Sequence, residues 1–251
     1  MAGHSKWANI KHKKQKQDRK RAKLFSKLSR KITVAAREGG GDPEMNSDLS
    51  LAIEKAKDNN MPNDNIERAI KRGTGELEGT NYEQFVYEGY GPGGVALYMD
   101  IMSDNRNRTA SEIRHLLDTN GGNLGEQGCV SWMFERKGQI LLNIEENETD
   151  EDDIMMAALE AGAEDIDIDD DMATIYTAPG DLQTTRDNLE DNNYDVSSAD
   201  LAMIPSNEVE LNKSEAQKVV KLMDKLEDHD DVQEVYSNFD IPDDIMEEIS
   251  G

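Results

Sequence analysis

Apolar residues recur at helical spacing through the first part of the chain. Over residues 19–37, at about 100° per residue, six apolar residues share one arc of a helix, and basic residues take the opposite arc. The apolar arc contains Ala22, Phe25, Leu28, Ile32, Ala35 and Ala36. Three glycines at 39–41 end this helix, and Asp42 with Pro43 predicts the start of a second. A third helix ends at Gly73, so residues up to about 75 are expected to form a small bundle behind a disordered or partly helical tip, residues 1–17.

Beyond Gly79 the apolar period changes from 3.6 to 2, which is typical of strands. The predicted elements up to Gly138 are strands 82–87 and 95–102, helix 109–119 and strand 129–134. After Gly138 the predicted order is strand 140–144, helix 152–161, strands 166–168 and 173–176, helix 182–191 and strand 199–204. This order, βαββαβ, is the ferredoxin-like pattern. The tail predicts strand 209–211, helix 214–226 and strand 232–239.

We therefore expect an α+β fold in which an N-terminal three-helix domain precedes two α/β lobes. The tail supplies the second helix that the lobe before Gly138 lacks, so the ferredoxin-like lobe is expected to be inserted in the middle one. The predicted divisions are 1–78 for the basic helical domain, 79–138 plus 206–251 for the middle α/β domain, and 139–205 for the acidic ferredoxin-like domain.

Charge is distributed very unevenly along this pattern. The first 38 residues carry +11, residues 39–78 carry −4 and the remainder carries −32, within a net charge of −25. A polyanion such as nucleic acid would be attracted by the head and repelled by the body. The alternative is that the head neutralises the acidic body.

The candidate nucleic-acid-binding residues lie in two clusters. Dense cations suit phosphate neutralisation, because each contact releases condensed counterions. The first cluster joins the tip and the helical stripe: Lys6, Trp7, Lys11, Lys13, Lys14, Lys16, Arg19, Lys20, Lys23, Lys27, Arg30 and Lys31. Trp7 is either a stacking ring or a hydrophobic anchor for the tip. The second cluster, Arg106 and Arg108 at the start of a helix, suits phosphate or RNA edges, or else combines helix capping with surface arginines.

Other chemistries find little support. The four histidines are scattered and, with one cysteine, lack the spacing of metal ligands. The single cysteine also excludes an intramolecular disulfide. The glycines at 89–94 lie between two strands, so a hairpin turn is favoured over a dinucleotide site, and those at 121–128 lack the Lys-Ser/Thr of a P-loop. No nucleophile, base and orienting group can be assembled, and no apolar run spans a membrane. We expect a cytoplasmic, non-enzymatic protein with no cofactor, metal or small-molecule substrate.

Several long stretches resemble the YebC/PmpR family, which includes the mitochondrial translational activator of cytochrome oxidase. They are GHSKWANIKHKK, RAKLFSKLSRKITVAAREGGGDPEMN, MPNDNIERAIKRGTG, YEGYGPGGVALYMD and SDNRNRTASEIRHLLDTNGGNLGEQGCVSWMF. The resemblance implies an N-terminal helical domain and two α/β domains, the last inserted in the second. It also implies a regulator that binds DNA, or a ribosome-associated translation factor that relieves stalling on proline-rich stretches. Ser103 and Cys129 stand where the family pattern suggests Thr and Ser.

The sequence therefore predicts a nucleic-acid-binding regulator of gene expression. Three partners stay open: the ribosome through its RNA, DNA, or, if the head is structural, a protein bound by an acidic adaptor. The ribosome is favoured, because a single cationic helix without a helix-turn-helix has no evident way to read major-groove base edges, whereas folded RNA is recognised through its shape and phosphates.

Overall fold

The computed structural model describes residues 18–147, 149–169, 171–242, 245, 246 and 248. Within these residues a helical bundle is followed by two four-stranded sheets and one short two-stranded sheet. The predicted α+β fold is confirmed. The expectation of a disordered or partly helical tip falls on residues 1–17, outside the described part.

The bundle consists of three helices that pack around one apolar cluster. They are α1 (Asp18–Gly39), α2 (Ser47–Asp58) and α3 (Asn63–Gly73). The second helix begins later than predicted from Asp42 and Pro43, because the side chain of Asn46 accepts a hydrogen bond from the Leu49 N–H at 3.1 Å and caps the helix there. The fully buried members of the cluster come from all three helices: Ile32, Leu49, Ala56 and Ala69.

The central sheet combines strands from the middle of the chain with one from its C-terminal part. Its elements are β1 (Glu83–Tyr90), β2 (Ala96–Ser103), α4 (Arg106–Thr119) and β3 (Asn123–Leu124), then β8 (Val209–Glu210), α7 (Lys213–Glu227), β9 (Val232–Ser237) and β10 (Phe239–Asp240). The strand order is β3-β1-β2-β9, with every neighbour antiparallel, and β8 pairs separately with β10. Apolar residues of β2, α4, α7 and β9 form one core, so the sheet needs the C-terminal residues to bury its inner face.

A second antiparallel sheet, here named the insert, lies between these two groups of elements in the sequence. It comprises β4 (Phe134–Asn143), α5 (Glu151–Ala161), β5 (Asp165–Asp169), β6 (Met172–Thr177), α6 (Leu182–Asp191) and β7 (Val196–Pro205). The strand order β5-β6-β4-β7 is the ferredoxin-like order. Phe134 pairs with Pro205, so the chain leaves the central part and returns to it at neighbouring positions.

Two local predictions are wrong around the start of the insert. The segment 129–134 is not a strand: Ser131–Met133 forms a 3-10 turn, and β4 begins only at Phe134. Gly138 does not separate two elements either, because β4 runs through it and pairs there with Thr177 and Leu201. The domain limits themselves stay a prediction.

The turn owes its shape to a buried carboxylate on β1. Glu88 accepts backbone N–H bonds from Gly128, Val130 and Ser131 at 2.7–2.8 Å. Burial alone would raise the pKa of Glu88, but these three bonds outweigh it and lower the pKa. Among the described residues, no helix is long and apolar enough to cross a membrane.

Candidate nucleic-acid interface

The structure describes only part of the predicted interface. Lys6, Trp7, Lys11, Lys13, Lys14 and Lys16 lie outside the described residues, and Arg19 and Lys20 lie in α1 ahead of the first described side chain. The side chains of the remaining six residues are described: Lys23, Lys27, Arg30, Lys31, Arg106 and Arg108.

Asp231, just before β9, organises the surroundings of two of these arginines. Its carboxylate accepts hydrogen bonds from Ser103 Oγ at 3.0 Å and from Thr109 Oγ1 at 2.7 Å. Arg108 Nη2 donates to the same carboxylate at 2.7 Å, and Arg30 Nη1 donates to its other oxygen at 2.9 Å. Burial alone would raise the pKa of Asp231, but the bonds from Arg108, Thr109 and Ser103 lower it to about 2. The carboxylate is therefore a charged anchor with both oxygens engaged.

Arg30 is the link between the bundle and the central sheet. Besides the Asp231 carboxylate, it donates to the Asp230 carbonyl at 2.6 Å. Its guanidinium also lies over the Tyr82 ring, 4.9 Å from the centroid, which is a cation–π arrangement. Because Arg30 contacts a buried carboxylate, a carbonyl and a ring at once, it is held in one position.

Lys23 and Lys27 bind the C-terminal end of α7. Lys27 Nζ donates to the carbonyl of Glu227 at 2.8 Å, and Lys23 Nζ lies 3.8 Å from Asp228 Oδ1 and 3.7 Å from Asp230 Oδ1. The last carbonyls of a helix have no partner within it and carry its negative dipole end. Two lysines of α1 thus stabilise the end of a helix that lies about 200 positions later.

Lys31 lies in a second ionic cluster, where the bundle meets both sheets. The pKa of Lys31 is lowered by its burial and by the positive charge of Lys55, whereas Asp200, Glu234 and Asp100 oppose this effect. Lys55 Nζ contacts Asp200 Oδ1 of the insert at 2.7 Å and Glu234 Oε1 of the central sheet at 3.5 Å. The bundle is therefore joined to the central sheet and to the insert.

Arg106 and Arg108 have different surroundings at the start of α4. Arg106 is exposed, contacts Glu83 Oε2 at 3.0 Å and lies over the Phe85 ring at 4.2 Å. Arg108 contacts Asp104 and Asp231, and its backbone N–H is capped by Asn105 Oδ1 at 3.1 Å. Helix capping is thus present beside the surface arginine, as the alternative interpretation proposed. Binding of either arginine to phosphate stays a prediction.

A solvent-open cavity of about 660 Å³ lies where the bundle meets the central sheet. Glu112, His229 and Asp231 in its wall bring one ligand atom each to within 4.8 Å of the others. Both Asp231 oxygens already accept bonds from arginines, so a cation would have to displace two guanidinium groups. The arrangement therefore suits ionic docking of α1 better than metal binding. The cavity is lined by Lys23, Arg30, Tyr82, Asp104, Arg108, Glu112, His115, Leu116, Asp228, His229, Asp230 and Asp231.

The basic arc of α1 therefore differs from the expected exposed stripe. Lys23, Lys27 and Arg30 contact carboxylates and carbonyls at residues 227–231, and Lys31 lies near the charges of Asp200, Glu234 and Asp100. None of these four side chains is exposed. The expectation of an open cationic face is wrong over this stretch, because α7, β9 and β2 present acidic groups there. Arg21, two residues before Lys23, is exposed.

The acceptors of these contacts were not predicted from the sequence. Asp228, Asp230 and Asp231 stand in an acidic run before a predicted strand, a pattern typical of a solvated surface. Tyr82 was assigned only to a strand. The stretch from Ser103 to Thr109 could have indicated a buried carboxylate nearby, because its hydroxyl groups and Arg108 are hydrogen-bond donors. Nothing in the local sequence identifies which carboxylate accepts these bonds.

These features define a class of protein: an α+β chain whose basic helical bundle is docked on an acidic sheet that carries a ferredoxin-like insert. Comparison with known proteins identifies the same class. Residues 5–76 match the family model described as the TACO1/YebC protein N-terminal domain, and residues 82–239 match the TACO1/YebC second and third domain. The chain belongs to the TACO1/YebC family, which confirms the resemblance.

Similar proteins cover the whole chain. A probable transcriptional regulatory protein of Halothermothrix orenii is 72% identical over 100% of this chain and 99% of its own length. One of Natranaerobius thermophilus, with the same description, is 60% identical over 98% of this chain and 99% of its own. The crystal structure of a conserved hypothetical protein of Aquifex aeolicus has a TM-score of 0.86 and 50% identity, and covers 94% of this chain and 97% of that one.

Proposed function

We propose that this protein is a non-enzymatic regulator of gene expression that binds the ribosome through its RNA and relieves stalled translation, for example on proline-rich stretches. The proposal includes a cytoplasmic location and phosphate contacts by the basic N-terminal segment. It rests on family membership, on the charge distribution and on the way α1 is docked.

The observation that carries the proposal is a division among the basic residues of the head. Lys23, Lys27 and Arg30 have protein partners, Lys31 lies near the charges of Asp200, Glu234 and Asp100, and Arg37 donates to the Tyr82 carbonyl at 2.5 Å. Eight Lys and Arg with a single acid, Asp18, precede Lys23. We assign the phosphate contacts to these eight, because the later ones anchor the bundle and hold the segment in front of an acidic body. They are Lys6, Lys11, Lys13, Lys14, Lys16, Arg19, Lys20 and Arg21.

The same division favours RNA over specific DNA. A recognition helix reads base edges with free polar side chains along one face. The polar face of α1 beyond Lys23 is turned toward the central sheet, so it offers little to a major groove. Folded RNA is bound through shape, phosphates and 2′-hydroxyls, and a densely basic segment supplies cations for the phosphates.

The alternative is a DNA-binding transcriptional regulator. It is favoured by the descriptions of the curated relatives, which are named probable transcriptional regulatory proteins. The two functions make opposite predictions about which particle the protein accompanies.

The test is co-sedimentation with purified ribosomal particles. The full chain is expected to enter the ribosomal fractions at low salt and to leave them at high salt, with affinity falling by about 10³ or more between 50 and 200 mM if six or more phosphates are contacted. Replacing Lys11, Lys13, Lys14 and Lys16 with Glu should abolish co-sedimentation. A control on another face replaces the exposed Arg68, Lys71 and Arg72 of α3 with Glu and should sediment like the wild type.

Loss of the protein should raise ribosome occupancy at particular codons before transcript levels change. A protein that stays at the top of the gradient and protects one promoter sequence against excess unrelated DNA would contradict the translational function and support the alternative. An affinity independent of salt would point instead to a protein adaptor.

A further inference from the structure

The insert has a charge composition unlike that of the rest of the chain. Residues 138–185 contain fifteen Asp and Glu and no Lys or Arg. The proposed RNA contact does not use this region, since a phosphate backbone would be repelled by it. Any molecule that binds this region has to suit its negative charge.

Helix α5 carries an apolar patch in the middle of this acidic surface. Met155, Met156 and Leu159 are 42%, 62% and 59% exposed. They are half of the six large apolar side chains that are exposed among the described residues. At 100° per residue they lie within an arc of about 100°, so they form one contiguous patch. The opposite face of α5 is buried in the core of the insert through Ile154, Ala158 and Ala161.

Carboxylates surround the patch. Glu151, Asp152 and Asp153 precede it in the first turn of α5, Glu160 follows it, and all four are exposed. Acidic side chains in the first turn interact favourably with the helix dipole, which accounts for Glu151, Asp152 and Asp153. It does not account for Glu160 or for the apolar residues in between. Flexible, polarisable methionines adapt to apolar side chains of varied shape. The patch thus combines an apolar centre with an anionic rim.

We propose that the outer face of α5 is a docking surface for a basic amphipathic segment of a partner protein. Large apolar side chains of the segment cover Met155, Met156 and Leu159, and its lysines or arginines meet the surrounding carboxylates. Charge complementarity selects this occupant. A second copy docked by the same face would oppose two acidic rims, nucleic acid would bring phosphates against carboxylates, and an anionic membrane surface would be repelled. The inference does not depend on the translational function.

The test follows the methionine methyl groups of the full chain by NMR. The probe is a synthetic 18-residue peptide of leucine and lysine in which leucine recurs at helical spacing. A second peptide has the same composition in an order without that spacing. The first peptide is expected to shift the Met155 and Met156 methyl resonances saturably, and the second to bind at least tenfold more weakly.

A triple variant, Met155→Gln, Met156→Gln and Leu159→Gln, should reduce affinity for the first peptide at least tenfold. Its control is Met45→Gln, which alters a methionine of the bundle that is 84% exposed and should leave affinity unchanged. All four positions are exposed, so circular dichroism should show folded proteins. Equal binding of the two peptides, or of the triple variant and the wild type, would overturn the proposal. Concentration-dependent shifts without peptide, or equal shifts with an RNA oligonucleotide, would overturn it in favour of a second copy or of nucleic acid.

Discussion

At the scale of single residues, Asp231 does more than its sequence context suggests. It is buried, with a side chain 5% exposed, and it collects hydrogen bonds from Ser103 and Thr109 and from two arginines that belong to different parts of the fold. A buried carboxylate is stable only when such donors compensate for its lost hydration. Arg30 and Arg108, predicted as phosphate ligands, are therefore also donors that compensate for the lost hydration of the Asp231 carboxylate.

We expect Asp231→Asn to lower the free energy of unfolding at pH 7 by about 2–3 kcal/mol, because the native pKa of Asp231 is about 2 instead of 3.8. A depressed pKa contributes stability that is present above pH 3.8 and is lost as the pH falls toward 2. The difference between variant and wild type should therefore shrink on acidification, as measured by urea unfolding at pH 7 and pH 3. Asp230→Asn, at an exposed position, is the control. Equal stability of the Asp231 variant and the wild type at pH 7 would show that the anchor contributes nothing.

At the scale of elements, α1 illustrates what periodicity can and cannot predict. Most of its apolar arc was assigned correctly, because burial within a bundle depends on spacing along one helix: Leu28, Ile32 and Ala36 are buried, whereas Ala22 is exposed. Its polar arc was taken as open, because the groups that cover it come from the end of α7 and from the acidic connection between α7 and β9, about 200 positions away. Local patterns identify a face but not the partner of that face.

Reversing Lys23, Lys27 and Arg30 to Glu should undock α1. From the sequence alone, the triple change is expected to abolish nucleic-acid binding with little effect on stability. The contacts predict instead that the free energy of unfolding falls by about 3 kcal/mol or more, because the Asp231 carboxylate loses the Arg30 guanidinium and faces a like charge. Thermal unfolding and hydrogen exchange of α7 would measure this. The Glu variant of Arg68, Lys71 and Arg72 makes the same charge change on α3 and should melt like the wild type. Normal stability of the triple variant of Lys23, Lys27 and Arg30 would show that these ionic contacts do not stabilise the fold.

The segment 129–134 shows the opposite limitation. Its apolar residues alternate well enough to predict a strand, yet Trp132 is 71% exposed while Val130 and Phe134 are buried. The N–H groups of Val130 and Ser131, which a strand would pair with a neighbouring strand, are instead bound by Glu88. The βαββαβ order of the insert was predictable because each of its elements follows its own local period and the connections are short.

At the scale of the whole molecule, the cluster around Lys31 joins the bundle, the central sheet and the insert. Asp100 of β2 belongs to it. Burial, and then the negative charge of Glu234, raise the pKa of Asp100 to about 6. Since the folded protein holds this proton more tightly than the unfolded chain, ionised Asp100 lowers stability above pH 6. This cost fades as the pH falls from 6 to about 4.

Asp100→Asn should therefore raise the free energy of unfolding by about 2–3 kcal/mol at pH 7.5 and leave it nearly unchanged at pH 4. Urea unfolding between pH 4 and 8 would measure the difference. Asp104→Asn, at an exposed position four residues later, is the control. A variant less stable than the wild type at pH 7.5 would mean that Asp100 is worth more as a partner of Lys31 than its burial costs.

The position of Asp231 near the C-terminus also has a consequence for biosynthesis. Arg30 and its carboxylate partner are 201 positions apart, so at about 5–20 residues per second the ribosome makes Asp231 some 10–40 s after Arg30. All six elements of the insert are synthesised within that interval, whereas the central sheet still lacks β9. A nascent chain therefore contains the whole bundle and the whole insert before it contains the carboxylate that binds Arg30. Newly made copies therefore pass through a period in which Lys23, Lys27 and Arg30 lack their partners at 227–231, and these contacts are among the last to form.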